Sequence, residues 1–554
     1  MTKRSRRGKF PKNLRPVMNR IPFFFALIAI KLMPLIAISQ NGPAIVTGNN
    51  IAVVKTAYGE VRGYVHNGIY TFKGIPYGKA ARFMPAEKPA PWKGIRSSLA
   101  YGSVCPTNES TSFGDEFAFA FQQNPGHSDE DCLNLNIWTK EADNAKKKPV
   151  MIFLHGGGFA SGSSMEYASY DGEKLSAKGD VVVVSINHRL NVLGFLDLSA
   201  YGEKYKYSAN LGAMDMVEAL KWVKNNIANF GGDPGNITIF GQSGGGAKVI
   251  CLMNAPSAKG LFNKAIVQSG SYLDHFVEDS IAKKVSAALL QELKLQPDQA
   301  DSLQKIPYEL LSAAGLQALK KVEHALKPAD IPDFGLEWLP VRDGSFLPNQ
   351  PDEAAAIALS KNVPLLVGSC KNEYNPFIPG SRDISMDSAK VKLQNKYGNK
   401  TAAYIAAVKK AYPETIKPSD YIDVDLLFRP FVIKQADQKA VPGAAPVYMY
   451  LFKWQSPVLD GAFKAFHCMD LPFVFDNIQR CEEMTGGGKE AYEMADKVSE
   501  AWISFARTGN PNHKGLPVWP EYTPKNGAAM LFDNKCEVKG HHDKELLAIA
   551  AGNN

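Results

Sequence analysis

Several familiar signatures are missing from this 554-residue chain. Its seven cysteines (Cys105, Cys132, Cys251, Cys370, Cys468, Cys481 and Cys536) include no Cys-x-x-Cys pair, so the usual spacing of a zinc site or a thioredoxin-like centre is absent. No glycine-rich loop ends in Lys-Ser/Thr, and no Gly-x-Gly-x-x-Gly occurs, which removes the common phosphate cradles. Beyond residue 40 there is no repeat period and no long low-complexity tract. A strong charge of one sign is also missing, although the formal net charge is +8. Nine lysines and arginines precede residue 40 with no acid among them, so the rest of the chain stands at a formal −1. Such a near-neutral body carries no electrostatic footprint for nucleic acid, and no nucleic-acid partner is expected.

The basic residues belong to a targeting segment. They lead into the apolar run Ile21–Ile30 and a second run from Leu32 to Ile38, and Ala37-Ile38-Ser39 supplies small residues at a cleavage site. Residues 1–39 therefore read as a signal peptide, with Gln40 as the mature start and Met18 as an alternative initiator. Lys31 and Pro34 interrupt the run, against a retained anchor, since a spanning helix needs about 20 apolar residues. The expectation is a secreted or periplasmic protein with no stable membrane span after cleavage. The odd cysteine count leaves at least one thiol unpaired or intermolecular if disulfides form on export.

What remains, 40–554, reads as one α/β domain. Segment 148–154 is a continuous apolar strand running into His155 and three glycines, and Val181–Asn187 is a β-branched run. Both suit strands buried on two faces. The spacing of Met216, Leu220, Val223 and Ile227 predicts a helix near 212–229, ended by Gly231-Gly232-Asp233-Pro234. Strands are expected at 236–240, 264–268, 364–368 and 447–452, with helices over the site within 275–325, broken at Pro297 and Pro307. Alternating strands and helices imply a large, mostly parallel central sheet flanked by helices.

Two motifs carry chemistry. Gly241-Gln242-Ser243-Gly244-Gly245 places Gly-x-Ser-x-Gly between a strand and a helix, where a serine hydroxyl projects from a strained turn. His155-Gly156-Gly157-Gly158 follows another strand, and its glycines let backbone N–H groups approach a reacting oxygen. Donors pre-aimed at an oxyanion are worth about 3 kcal/mol of barrier each. Gly157 and Gly158, with the Gly244 amide, are the candidate oxyanion donors. Ser243 still needs a base and an acid to orient it, and spacing does not choose among ten histidines.

From Ile51 to about Phe532 the chain resembles the type-B carboxylesterase/cholinesterase family of α/β-hydrolases. The resemblance rests on Phe72-Lys-Gly-Ile-Pro-Tyr77, Arg82-Phe83, Glu130-Asp-Cys-Leu-Asn-Leu-Asn136 and Asn187 through Phe195. It continues through Phe230-Gly-Gly-Asp-Pro234, the Ser243 elbow, Gln268-Ser-Gly270, Asp343-Gly344 and Trp502 through Pro511. The resemblance implies the α/β-hydrolase fold and a Ser-His-Glu triad. Its acid would be Glu373, in Gly368-Ser-Cys-Lys-Asn-Glu373, and its base His467, before Asp470-Leu-Pro-Phe-Val-Phe475. Asp470 is an alternative acid. Two departures stand out: Tyr374 where many members have glycine, and Asp470 where many have glutamate. The resemblance further implies a Cys105–Cys132 disulfide and a structural ion pair between Arg82 and Glu130.

The implied activity is hydrolysis of neutral carboxylic esters through an acyl-serine, with a small-molecule ester as partner and no metal or organic cofactor. A lactone, amide or xenobiotic ester is an alternative substrate. Choline esters fit less well, because the 105–132 loop has no tryptophan for cation–π contact and Gln242 replaces a glutamate. The fold also serves as an adhesion ectodomain, but those relatives characteristically lose the nucleophile.

Overall fold

The computed structural model describes residues 44–552 except 109–113, 144, 333 and 379; the expected signal peptide lies outside these residues. Alternation along the strands shows why a sheet forms with helices on both faces. Val150, Ile152 and Leu154 point into one apolar layer, whereas Met151 and Phe153 point into the other. Ala265 and Val267 oppose Ile266 in the same way, as Leu365 and Val367 oppose Leu366. A period of two with both sides apolar is the pattern of a strand covered on each face.

The central sheet has 12 strands. In chain order they are β1 (Ile45–Val46), β2 (Tyr64–His66), β3 (Ile69–Pro76), β4 (Asn134–Thr139), β5 (Lys148–Leu154) and β6 (Val182–Ile186). Then follow β7 (Gly232–Gln242), β8 (Lys264–Gln268), β9 (Leu365–Cys370), β10 (Val447–Phe452), β11 (Ala528–Phe532) and β12 (Glu537–Gly540). The spatial order is β1-β2-β3-β4-β6-β5-β7-β8-β9-β10-β11-β12. Pairing is parallel from β6 across to β11 and antiparallel at both ends. All carboxyl ends of the parallel strands therefore emerge along one edge, where open α/β sheets place their sites.

Helix α1 (Leu211–Asn226) lays Met216, Leu220 and Val223 on one face of this sheet. The expected helix runs on to Phe230 only as a 3-10 turn, closed by Gly231 in the left-handed conformation. Helix α2 (Gly244–Asn254) follows β7 directly. The 275–325 segment forms α3 (Asp279–Glu292) and α4 (Tyr308–Ala325), with a 3-10 stretch from Pro297 to Lys305 between them. Further on, α5 (Phe428–Lys439) packs on β9, and α6 (Lys489–Thr508) buries Met494, Val498, Trp502 and Phe505 on the opposite face from α1. Strand β7 starts earlier than the sequence suggests, at Gly232, because its first residues pair with Lys148 before a register shift.

Buried ion pairs lock the loops at the sheet edge. Arg189, just past β6, makes two bonds to Asp215 of α1 at 2.6 and 2.8 Å and reaches the Met84 carbonyl at 2.7 Å. Both side chains are essentially inaccessible. Removing one partner strands the other charge in the interior, so Asp215→Ala is expected to destabilise by about 3–5 kcal/mol. A urea midpoint unchanged from the parent chain would contradict this. Arg82 likewise donates to Glu130 at 2.6–2.8 Å through Nε and to the Leu303 and Ile306 carbonyls, a structural tie as the resemblance implies.

Candidate active site

The site assembles where β5, β7, β8 and β9 end. Ser243 follows β7 and precedes α2, with φ +56° and ψ −126°. A non-glycine residue in this region is strained, and the surroundings hold it there. Its N–H donates to the Gln268 carbonyl of β8 at 2.8 Å, and its carbonyl accepts from Ala247 at 3.0 Å. The glycines around it are sterically required. A Cβ on Gly245 would lie 1.9 Å from the Leu154 carbonyl oxygen, and one on Gly244 would lie 2.2 Å from the Gly158 nitrogen.

That second distance shows how the two motifs meet. The loop after β5 packs its backbone directly against the first residue of α2. Gly157 and Gly158 have φ of +84° and +59°, and the turn they form is closed by Ser161 N–H donating to the Gly157 carbonyl at 2.9 Å. Among the described residues, the N–H groups of Gly157 and Gly158 have no acceptor within the chain. Free donors beside a helix N-terminus favour a negative oxygen. Behind them, fully buried Lys248 of α2 donates to the His155 carbonyl at 2.8 Å and approaches that of Gly156 at 3.3 Å. Burial pulls its ammonium down to about 7, with Glu166 opposing.

Glu373 and His467 come together from different loops. The Glu373 backbone pairs with Phe466, and His467 N–H donates to the Glu373 carbonyl at 3.0 Å. Between the side chains, Nδ1 of His467 donates to Oε2 of Glu373 at 2.5 Å. The other carboxylate oxygen accepts from Ser269 Oγ and from the Cys370 N–H, both at 2.7 Å. Glu373 is 1% exposed and His467 5%. Burial alone would lower the imidazole pKa; Tyr374, Cys468 and the Glu373 carboxylate outweigh it and hold His467 well above its ordinary value. Asp470, the alternative acid, instead accepts from Gln268 Nε2 and Tyr450 Oη, both at 2.9 Å, and burial raises it to about 6.

Nε2 of His467 lies 3.3 Å from the Gln242 side-chain nitrogen, and Cys468 Sγ donates to the Gln242 oxygen at 2.9 Å. The Tyr374 hydroxyl is directed toward the Ser243 side chain. A cleft of about 400 Å³ begins at Gly158 and is lined by Tyr272, Ile281, Phe334, Leu336 and Leu339. Ile281 belongs to α3, so that helix flanks the cleft. Of the four acids in the cleft wall, Asp274 pairs with Lys434 at 2.9 Å and Glu278 with Arg342 at 2.7 Å, whereas Asp330 and Glu337 have no ion pair among the described residues.

Residues 50–549 match the carboxylesterase family. The chain belongs to that family. It is 37% identical to the para-nitrobenzyl esterase of Bacillus subtilis (strain 168), covering 89% of this chain and 97% of that protein. It is 32% identical to the phenmedipham hydrolase of Pseudarthrobacter oxydans, covering 88% and 96%. Among solved structures, an esterase from anaerobic Clostridium hathewayi that can hydrolyze aliphatic aromatic polyesters superposes with a TM-score of 0.83 at 37% identity, over 92% of this chain and 99% of that one. The fold is that of the α/β-hydrolases, and the protein is a serine carboxylesterase, a carboxylic ester hydrolase.

The disulfide expected for this carboxylesterase is not formed in the structure. Cys105 and Cys132 are neighbours, as the resemblance implies, but both are free thiols in the structure. They are buried, and Cys105 Sγ accepts from the Leu190 N–H at 3.2 Å. Among the described residues no group of three or more His, Cys, Asp or Glu could hold a metal ion. Sequence reading passed over Ser269 and Lys248. The first sits in the Gln268-Ser-Gly270 motif straight after a strand; the second is a lone charge one turn into a glycine-rich helix.

Proposed function

We propose that Ser243 is the nucleophile of this carboxylesterase, His467 its general base, and Glu373 the residue that orients the imidazole. The observation that carries this reading is the 2.5 Å Glu373–His467 pair lying beside an elbow serine and two glycine amides without acceptors. Neutral His467 takes the Ser243 proton as the oxygen attacks the ester carbonyl, and the amides of Gly157, Gly158 and Gly244 hold the oxyanion. Imidazolium then protonates the leaving alcohol, and water repeats the sequence on the acyl-enzyme.

The substrate class is a neutral carboxylic ester. The apolar lining of the cleft supports it, as does a relative named for a nitrobenzyl ester. We further propose that residues 1–39 direct export, and that the adjacent Cys105 and Cys132 thiols oxidise to a disulfide outside the cytosol. No helix among the described residues is long and apolar enough to cross a membrane.

The pH profile tests the base. Only neutral imidazole accepts the Ser243 proton, so kcat/KM for a neutral ester is expected to rise with pH through the His467 pKa. Because that pKa is raised, the limb is expected on the alkaline side of the ordinary 6.5. A profile flat from pH 5 to 9 would count against His467.

A further inference from the structure

Tyr374 follows Glu373 immediately and leads into a short 3-10 helix, Asn375–Phe377. Its ring lies over the imidazole of His467, with centroids 4.2 Å apart and planes inclined at 31°. Its hydroxyl is directed toward the Ser243 side chain, yet the residue as a whole is 39% exposed. One edge of the ring thus faces solvent while the other end reaches the nucleophile. In this arrangement Nε2 of the base faces Gln242 rather than Ser243.

The aromatic surface continues away from the nucleophile. Phe428, from α5, lies 5.3 Å from the His467 ring and 5.9 Å from that of Tyr374. Phe334 and Tyr272 extend it, at 5.8 and 5.7 Å from Phe428 and 4.9 Å from each other, into the cleft that begins at Gly158. An ester carbonyl brought onto Ser243 comes beside the imidazole, where the Tyr374 ring now lies. Tyr374 has then to swing along its exposed side, and the alcohol portion of the ester passes between it and Phe428.

We propose that Tyr374 is a specificity-determining residue: it covers the Ser243–His467 pair at rest and, once displaced, forms with Phe428 an aromatic slot that selects esters of flat aryl-bearing alcohols over equally large saturated ones. A flat ring recovers, by offset or edge-on stacking, the contact that the Tyr374 ring loses on leaving His467. A puckered ring of the same carbon count fills the slot without that recovery and meets its walls. This rests on the assignment of Ser243 as nucleophile.

Benzyl acetate and cyclohexylmethyl acetate separate the two effects, because their alcohols differ in flatness while both are primary alkoxide leaving groups. The ratio of their kcat/KM values is expected to fall roughly two- to tenfold in Tyr374→Leu. In Tyr374→Phe, which keeps the ring and loses the hydroxyl, the ratio is expected to stay within about twofold. An unchanged ratio in Tyr374→Leu would overturn the proposal. A ratio that falls as far in Tyr374→Phe would overturn it too, since the hydroxyl and not the ring would then be selecting. Tyr374 is exposed, so folding should tolerate both changes; if Tyr374→Leu fails to fold, Tyr374→Ile read on the same ratio replaces it. Labelling with a fluorophosphonate keeps the two readings apart. A variant that labels fully but does not change the ratio sinks only the slot, whereas a parent chain that labels elsewhere than Ser243 sinks the site assignment beneath it.

Discussion

Ser243→Ala is expected to lower kcat for p-nitrophenyl acetate by about a million-fold while leaving the thermal midpoint close to that of the parent. The size follows from what the serine does. Without Oγ no acyl-enzyme forms, and only the oxyanion donors and binding contacts remain to act on water attack. The fold should persist because the elbow is held by backbone, through Ser243 N–H to Gln268 and Ala247 N–H to Ser243, and neither bond involves the side chain. Alanine keeps the Cβ, so the strained turn meets no new atoms. Turnover in Ser243→Ala within tenfold of the parent, in protein free of contaminating esterase, would remove Ser243 from the mechanism.

Glu373→Gln is the second large effect, an expected loss of about 10⁴ in kcat with little change in KM. The neighbours of the carboxylate dictate it. Oε1 accepts from both Ser269 Oγ and Cys370 N–H, so a glutamine must keep its carbonyl oxygen there. Its NH₂ then faces His467 Nδ1, where a donor is already present. The imidazole relieves the clash by moving its proton to Nε2, the nitrogen that should accept from Ser243. The base is thereby lost while size and burial are kept. Asp470 offers no rescue, because Gln268 and Tyr450 already hold its carboxylate away from the imidazole. The acid limb of any residual activity is also expected to move to lower pH, since a neutral amide no longer holds the imidazolium. Activity within tenfold of the parent would show that Glu373 is not the orienting acid.

Legibility in the sequence followed the range of the interactions. Strands β5, β8 and β10 appear as apolar runs with the bounds the structure gives, because both faces of each are buried and every residue reports it. The start of β7 was hidden, since Gly232-Asp233-Pro234-Gly235 reads as a turn and is extended only through its pairing with Lys148. Ser243 and the Gly157–Gly158 pair were visible as local motifs tied to strand ends. Glu373 and His467 were not: they meet through loops 94 residues apart, and only the resemblance singled them out. The Cys105–Cys132 neighbourhood was anticipated, but the structure holds the two as free thiols. Tyr374 was visible as a departure from the family pattern. That its ring would lie on His467 and its hydroxyl reach Ser243 depends on the backbone pairing of Glu373 with Phe466, which no sequence spacing reports.

Mass mapping of the trapped acyl-enzyme tests the central claim most directly. The chain is treated with a slowly deacylating p-nitrophenyl ester or a fluorophosphonate, quenched in acid, digested and sequenced by mass spectrometry. The expected result is one adduct per chain, on Ser243, appearing in step with the loss of activity. Cys468 is the informative competitor, since its thiol also lies against His467 and Gln242. Full inactivation with the adduct on Cys468, or on any residue other than Ser243, would contradict the assignment.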